Sequence, residues 1–188
     1  QVSPVFRTRV ASVIRADGLL GPTKQSPVKV SDTRRRLFVT NFSSDWKSKS
    51  VDEIEAIAGS EEYPGTVGED VPRITETHSL NASVEGWQST GLYLCPGDKL
   101  TVDVTKGNAE GWNIRIGCHK DKLWHKDSWS RWPEITHVMP MQQTTEVATP
   151  WGGLLYFESA KNASDIQVLT EGAIASPLFD IENQTEWL

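Results

Sequence analysis

From Gly86 to Glu158 the apolar positions recur every second residue between short turn signals. Leu100, Val102 and Val104 alternate with polar neighbours, as do Trp112, Ile114 and Ile116. Successive side chains of a strand point to opposite faces, so this spacing predicts half-buried strands. Strands are expected over 73–80, 91–94, 100–104, 112–116, 136–139, 144–148, 154–157, 166–169 and 173–175. Pro96-Gly97-Asp98, Gly107-Asn108 and Pro150 to Gly153 mark the turns between them. Many short strands at regular spacing predict an all-β, antiparallel β-sandwich, jelly-roll-like.

Upstream the pattern weakens. Val5-Phe6, Val10 to Ile14, Val28 to Val30 and Leu37 to Thr40 are β-type pieces broken by glycine and proline, and read as short strands or an extended arm. Ser50 to Glu53 has the form of a capping box before Ile54, Ala56, Ile57 and Ala58, which predicts one short helix near residues 51–58. Residues 59–72 are acidic and turn-rich, hence a loop. The expected organisation is an N-terminal extension of peripheral strands plus the short helix over 1–58, then the sandwich domain over 59–188.

Composition narrows the function classes. The chain has 188 residues and a net charge of −6, without a basic block beyond Arg34-Arg35-Arg36, which opposes nucleic-acid binding. Mean hydropathy is −0.42, and no apolar run approaches the roughly 18 residues of a membrane span. Four of the six asparagines, Asn41, Asn81, Asn162 and Asn183, open Asn-x-Ser/Thr sequons. That excess over chance placement points to a secreted, extracellular glycoprotein.

Val71 to Thr75, Gly86 to Tyr93, Pro96-Gly97, Ile116 to His119 and Gly152 to Glu158 occur in one order. Together they resemble the N-terminal part of the enhancin-like, mucin-degrading (M60-like) zinc metallopeptidases, to which the vertebrate channel-associated factors carry a related region. The resemblance covers roughly residues 60–180. It implies a β-sandwich that precedes a catalytic domain whose zinc helix bears H-E-x-x-H. This chain lacks that motif, since none of His78, His119, His125 and His137 is followed by glutamate. The stretch from Ala173 to Phe179 and on to Leu188 is similar to the family's exit from the sandwich, where a C-terminal protease domain would begin. Cys95 stands where the family usually has a proline before Pro96.

Cys95 and Cys118 are the only cysteines. Each ends a predicted strand, with one strand returning between them, so both belong at one end of the sheet. With the sequons, this favours a disulfide; the alternative is two free thiols behaving as small apolar residues. His119, Asp121, His125 and Asp127 tempt a metal reading, but His119 and His125 sit six apart among lysines, and zinc needs three or four converging ligands. No metal site is assigned, and zinc is expected only in a following catalytic domain.

Trp124, Trp129 and Trp132 fall in a segment, residues 118–135, otherwise rich in Lys, Asp, Ser and His. It reads as a long exposed connection in which at least one indole stays accessible. An indole beside His119 and Asp121 suits a sugar ring that stacks on it while its hydroxyls are hydrogen-bonded. The alternative is that the rings cover the end of the sandwich or anchor a neighbouring domain. Trp87, Trp112 and Trp151 adjoin strands and read as core or edge packing. No nucleophile–base pattern or phosphate loop stands out.

These readings converge on a non-catalytic β-sandwich module of a secreted metallopeptidase, supporting or targeting the protease on glycoprotein substrates. The chain alone is expected to hydrolyse no protein. The alternative is a stand-alone secreted lectin-like or small-ligand-binding glycoprotein. A protein–protein adaptor like the channel-associated factors is a third reading, against which the sequons argue.

Overall fold

The structure is a computed structural model and describes residues 21–178. Its strands are β1 (Val28–Lys29), β2 (Ile74–Leu80), β3 (Trp87–Leu94), β4 (Lys99–Lys106), β5 (Trp112–Ile116), β6 (Ser128–Trp129), β7 (His137–Pro140), β8 (Thr144–Ala148), β9 (Gly153–Ser159) and β10 (Ile166–Ala175). The α-helix α1 spans Thr33–Asp45. Eight strands form one antiparallel sheet in the order β7-β5-β9-β3-β10-β4-β8, with β2 paired to β10. β1 and β6 form a separate two-stranded ladder. This is the all-β architecture that the alternating pattern predicts.

β10 belongs to both halves of the sheet. Its first part lies between β2 and β4, while Ile174 and Ala175 pair with Tyr93 and Leu92 of β3. The change of partner falls at Gly172, where the register shifts between Glu171 and Ala173. Gly172 has φ of +104°, and an added Cβ would stand 2.2 Å from the Lys99 carbonyl oxygen. Only glycine fits such a bulge. The sheet curls over here, and the two predicted strands around 166–175 are one bulged strand.

Curling brings the inward positions together. Leu80, Leu100, Val102, Val104 and Val168 from one half meet Leu92, Ile114, Ile116, Leu155 and Phe157 from the other in a single buried cluster. Each such side chain contributes roughly 1.5–3 kcal/mol on burial, so the period-two pattern is itself the stabilising feature.

A second cluster closes the end of the sandwich where β3 and β5 finish. Val28, Phe38, Val39, Phe42, Trp46 and Ile54 pack there against Trp129, Trp132, Ile135, Ala148 and Trp151. This corrects two local expectations. Leu37 to Thr40 lies within α1, not in a strand. The expected helix near 51–58 is one 3-10 turn over Val51–Glu53, although Ser50 N–H does donate to the Glu53 carboxylate at 3.0 Å. The pieces Val5-Phe6 and Val10 to Ile14 lie outside the described residues.

α1 forms because the Asp32 carboxylate caps it, accepting from Arg35 N–H at 3.1 Å. Phe38, Phe42 and Trp46, four residues apart, then share one helical face. Arg35 ties the start of the helix to the preceding segment, donating to the carbonyls of Gly21 at 3.0 Å and Ser26 at 2.7 Å.

The expected Cys95–Cys118 disulfide is absent: both are free thiols. Topology supplies the reason. β9 lies between β3 and β5, so residues just beyond those two strands are separated by two strand spacings, roughly 9–10 Å. A disulfide requires Cα atoms within about 7 Å. Gly152 and Gly153 occupy the intervening space, with added Cβ atoms falling 2.9 Å from the Cys95 carbonyl carbon and 2.7 Å from Gly117 Cα, respectively.

Candidate ligand cleft

The segment 118–135 is a folded clasp over the N-terminal arm. Lys120 bridges to Glu134, Leu123–His125 makes a 3-10 turn, and β6 pairs Val28 with Trp129. The three candidate indoles therefore separate. Trp129 and Trp132 are buried, at 1% and 0% exposure, whereas Trp124 is 55% exposed. The long connection is exposed only in part, because α1, remote in sequence, brings apolar partners to it.

The two buried indoles of the clasp each have a polar partner. Trp129 Nε1 donates to the Leu123 carbonyl at 2.6 Å, and Trp132 Nε1 to the Ala58 carbonyl at 3.0 Å. Trp132 contacts Phe38, Phe42 and Trp151 with ring centroids 5.5–6.2 Å apart. Arg36 stacks on Trp129 at 4.5 Å and donates to the Lys126 carbonyl at 2.9 Å, which pins the clasp to α1.

Trp124 stands edge-on to Trp129 and borders a cleft of about 360 Å³. Val39 and Thr40 of α1 form one wall; Asp121, Lys122, Pro133 and Glu134 of the clasp form the other, with an edge of Trp132. A small-molecule site of roughly 300 Å³ or more has this mixture of apolar surface and a few polar groups.

His119 and Asp121 stand beside the cleft. His119 Nδ1 lies 3.9 Å from an Asp121 carboxylate oxygen, and that oxygen also pairs with Arg131. The Arg131 guanidinium holds the Asp121 carboxyl below its usual range, with a smaller contribution from His119. Arg131 in turn lies 4.8 Å over the ring of Tyr63, whose other neighbour is the His119 ring at 5.1 Å. Burial pushes the Tyr63 hydroxyl's pKa upward. Sequence reasoning placed His119, Asp121 and Trp124 here but missed Tyr63, Arg131, Thr40 and Glu134. The spacing of Phe38, Phe42 and Trp46 was the available signal that α1 comes to this end.

Among the described residues, no group of three or more His, Cys, Asp and Glu side chains could hold a metal ion. The zinc that the resemblance implies therefore does not fit these residues. No helix of the described residues is long and apolar enough to cross a membrane.

Of the sequons, Asn81 follows β2 and Asn162 lies in the β9–β10 connection, both exposed. The two connections meet, since Ala82 N–H donates to the Asp165 carboxylate at 2.8 Å. They occupy the end of the sandwich opposite the cleft. Asn41 lies within α1, and Asn183 is outside the described residues.

A curled antiparallel sandwich with a clasped cleft at one end defines this chain as a β-sandwich module. Residues 69–170 match the N-terminal domain of M60-like peptidases, which is more than half of the chain, and the chain belongs to that family. It is 33% identical over 123 residues to human TRPM8 channel-associated factor 2, covering 62% of this chain and 13% of that protein. A TRPM8 channel-associated factor homolog of Danio rerio is 29% identical over 99 residues, covering 50% of this chain and 11% of that protein. The chain thus spans about an eighth of the length of such relatives. Among solved structures, the IMPa metallopeptidase from Pseudomonas aeruginosa superposes with a TM-score of 0.58 at 22% identity, over 88% of this chain and 19% of that one. IMPa in complex with an O-glycopeptide superposes at 0.56 and 18% identity, over 94% and 21%. These structural likenesses establish the shared fold.

Proposed function

We propose that this chain is a non-catalytic module of a secreted M60-like zinc metallopeptidase, which supports or targets the protease on glycoprotein substrates. The observation that carries the reading is the family match over residues 69–170. Zinc and the H-E-x-x-H helix belong, in this reading, to a catalytic domain that follows the module. The cleft beside Trp124 is the contact surface for a glycan, with the indole as stacking face and Asp121, Lys122 and Glu134 as partners for hydroxyls. IMPa, which shares the fold, has solved structures in complex with an O-glycopeptide and with T-antigen, which supports glycans as the ligand class.

The test is made on the full-length protein. Its coding sequence is expected to continue into an H-E-x-x-H motif. Trp124→Ala should lower kcat/KM on an O-glycosylated protein while leaving cleavage of a short glycopeptide unchanged. Equal loss on both substrates, or the absence of a zinc motif, would refute the reading.

A second reading is favoured by the identity to the TRPM8 channel-associated factors: the module serves as a protein-binding adaptor. Glycans on Asn81 or Asn162 in material from the native source would exclude a cytosolic adaptor. Their absence would favour it.

A further inference from the structure

The two outer faces of the curled sheet differ in kind. On the β2-β10-β4-β8 half, the paired positions are Thr75, Thr77, Thr101, Asp103, Thr144, Glu146 and Glu171, with Leu169 as the apolar exception. That is an ordinary solvated face. On the other half, Trp87 pairs with Glu158, Glu158 with Asn113, Tyr156 with Arg115, and Arg115 with Val138. Opposed residues share a face, and the intervening Ile114, Leu155 and Phe157 point into the core. Trp87, Tyr156, Arg115 and Glu158 thus form one outward group.

Arg115 Nε pairs with the Glu158 carboxylate, and the guanidinium carbon lies 4.3 Å from the Trp87 ring centroid. Arg115 is 5% exposed, whereas Trp87 keeps 47%. One indole face therefore lies on the cation, while the residue keeps close to half of its exposure. Tyr156 stands 5.4 Å away at 51°, which makes the platform a shallow V. Arg115 itself is held from beneath by the Glu158 carboxylate and the indole, so the platform is rigid on its inner side.

We propose that this outer face of β3, β9 and β5 is a sugar-binding platform, which takes a neutral pyranose stacked on the open face of Trp87 with a hydroxyl hydrogen-bonded by Glu158, while Arg115 holds the indole and the carboxylate in place from beneath. Neutrality follows from the charges. Arg115 and Glu158 compensate each other, and the cation beneath the indole already occupies its π attraction. A protein interface fits less well, because charge is depleted at interface cores, and here an ion pair sits directly beneath the exposed ring. The platform does not rest on the peptidase reading, and it is distinct from the cleft at Trp124.

The eight tryptophans give resolvable indole N–H signals in an ¹⁵N-labelled chain, and Trp87→Phe identifies the Trp87 signal by its loss. Titration with methyl β-galactoside and with N-acetylglucosamine at millimolar levels should shift the Trp87 signal. That shift should persist in Trp124→Ala. The affinity should fall about tenfold in Trp87→Ala, the loss expected for one stacked aromatic, and several-fold in Glu158→Gln, which keeps the shape of the face. If Trp87→Ala fails to fold, Trp87→Phe and Glu158→Gln carry the comparison. No shift at Trp87 with either sugar, shifts confined to Trp124, or a Trp87 signal that responds only to protein concentration would each overturn the proposal. The last outcome would mark the face as a protein contact instead.

Discussion

Trp124 and Trp129 meet edge to face with ring centroids 4.9 Å apart, yet one is 55% exposed and the other 1%. The contact is the boundary between the clasp's packed underside and its outer surface. Trp124→Ala should therefore change thermal stability little, by less than about 1 kcal/mol. Trp129→Ala removes a buried ring together with its hydrogen bond to the Leu123 carbonyl and should cost roughly 3–5 kcal/mol. Thermal or urea unfolding of the two variants checks this; equal losses would show that the clasp does not divide its indoles this way.

The docking of α1 has the same test from the other side. Phe42 touches Phe38, Trp132 and Trp151, so Phe42→Ala should cost about 3–5 kcal/mol. It should also loosen the clasp, which hydrogen exchange would register as faster exchange around Trp129 than around the buried strands β3 and β9.

Much of this fold was legible from alternation alone, because a strand buried on one face shows its period directly. Leu100, Val102 and Val104 needed no tertiary information. α1 was not legible in that way. Its first turn, after Thr33, carries three consecutive arginines, where the helix dipole disfavours cations, and it continues through Phe38, Val39 and Thr40, which are weak helix formers. Asp32 as cap and the spacing of Phe38, Phe42 and Trp46 outweigh those penalties once Trp132 and Trp151 are present to receive the rings. The cleft suffered likewise. Trp124, His119 and Asp121 could be named from composition, but Arg131 and Tyr63 join them only through the folded clasp. The Cys95–Cys118 expectation failed for a topological reason, since the return strand between them in sequence is β4, while the strand between them in space is β9.

The thiols give a direct check of that topology. Non-reducing peptide mapping of the folded protein should recover Cys95 and Cys118 separately and reduced. Cys118 should react with a thiol reagent first, because Cys95 is buried at 3% exposure and its pKa is raised, mainly by that burial. Recovery of a linked peptide would place β3 and β5 side by side and contradict the strand order.

Gly172 tests the curl. With φ of +104° and the Lys99 carbonyl oxygen 2.2 Å from an added Cβ, Gly172→Ala must shift backbone as well as adopt a strained conformation. A loss of at least about 1–3 kcal/mol is expected, measured by urea unfolding. Gly65→Ala is the control, since its φ is also positive, at +122°, but nothing lies within 4 Å of an added Cβ. The clash then accounts for any excess at Gly172.

His137 makes the closed end of the sandwich sensitive to acid. Its ring lies 4.9 Å from Trp46, and Nδ1 is buried without a partner. Burial, aided by Lys47, lowers its pKa from 6.5 to about 4. A base with a depressed folded pKa binds fewer protons folded than unfolded, so stability rises with pH between those two values. Its contribution is full above about pH 6.5 and is lost progressively as pH falls toward 4. Replacing His137 by Gln removes the titration while keeping a polar side chain. The wild-type melting temperature should therefore fall more steeply than that of His137→Gln between pH 6.5 and 4, and the two slopes should agree above pH 7. Parallel curves across the whole range would mean that the His137 ring is hydrated and that the aromatic cluster around Trp46 admits water.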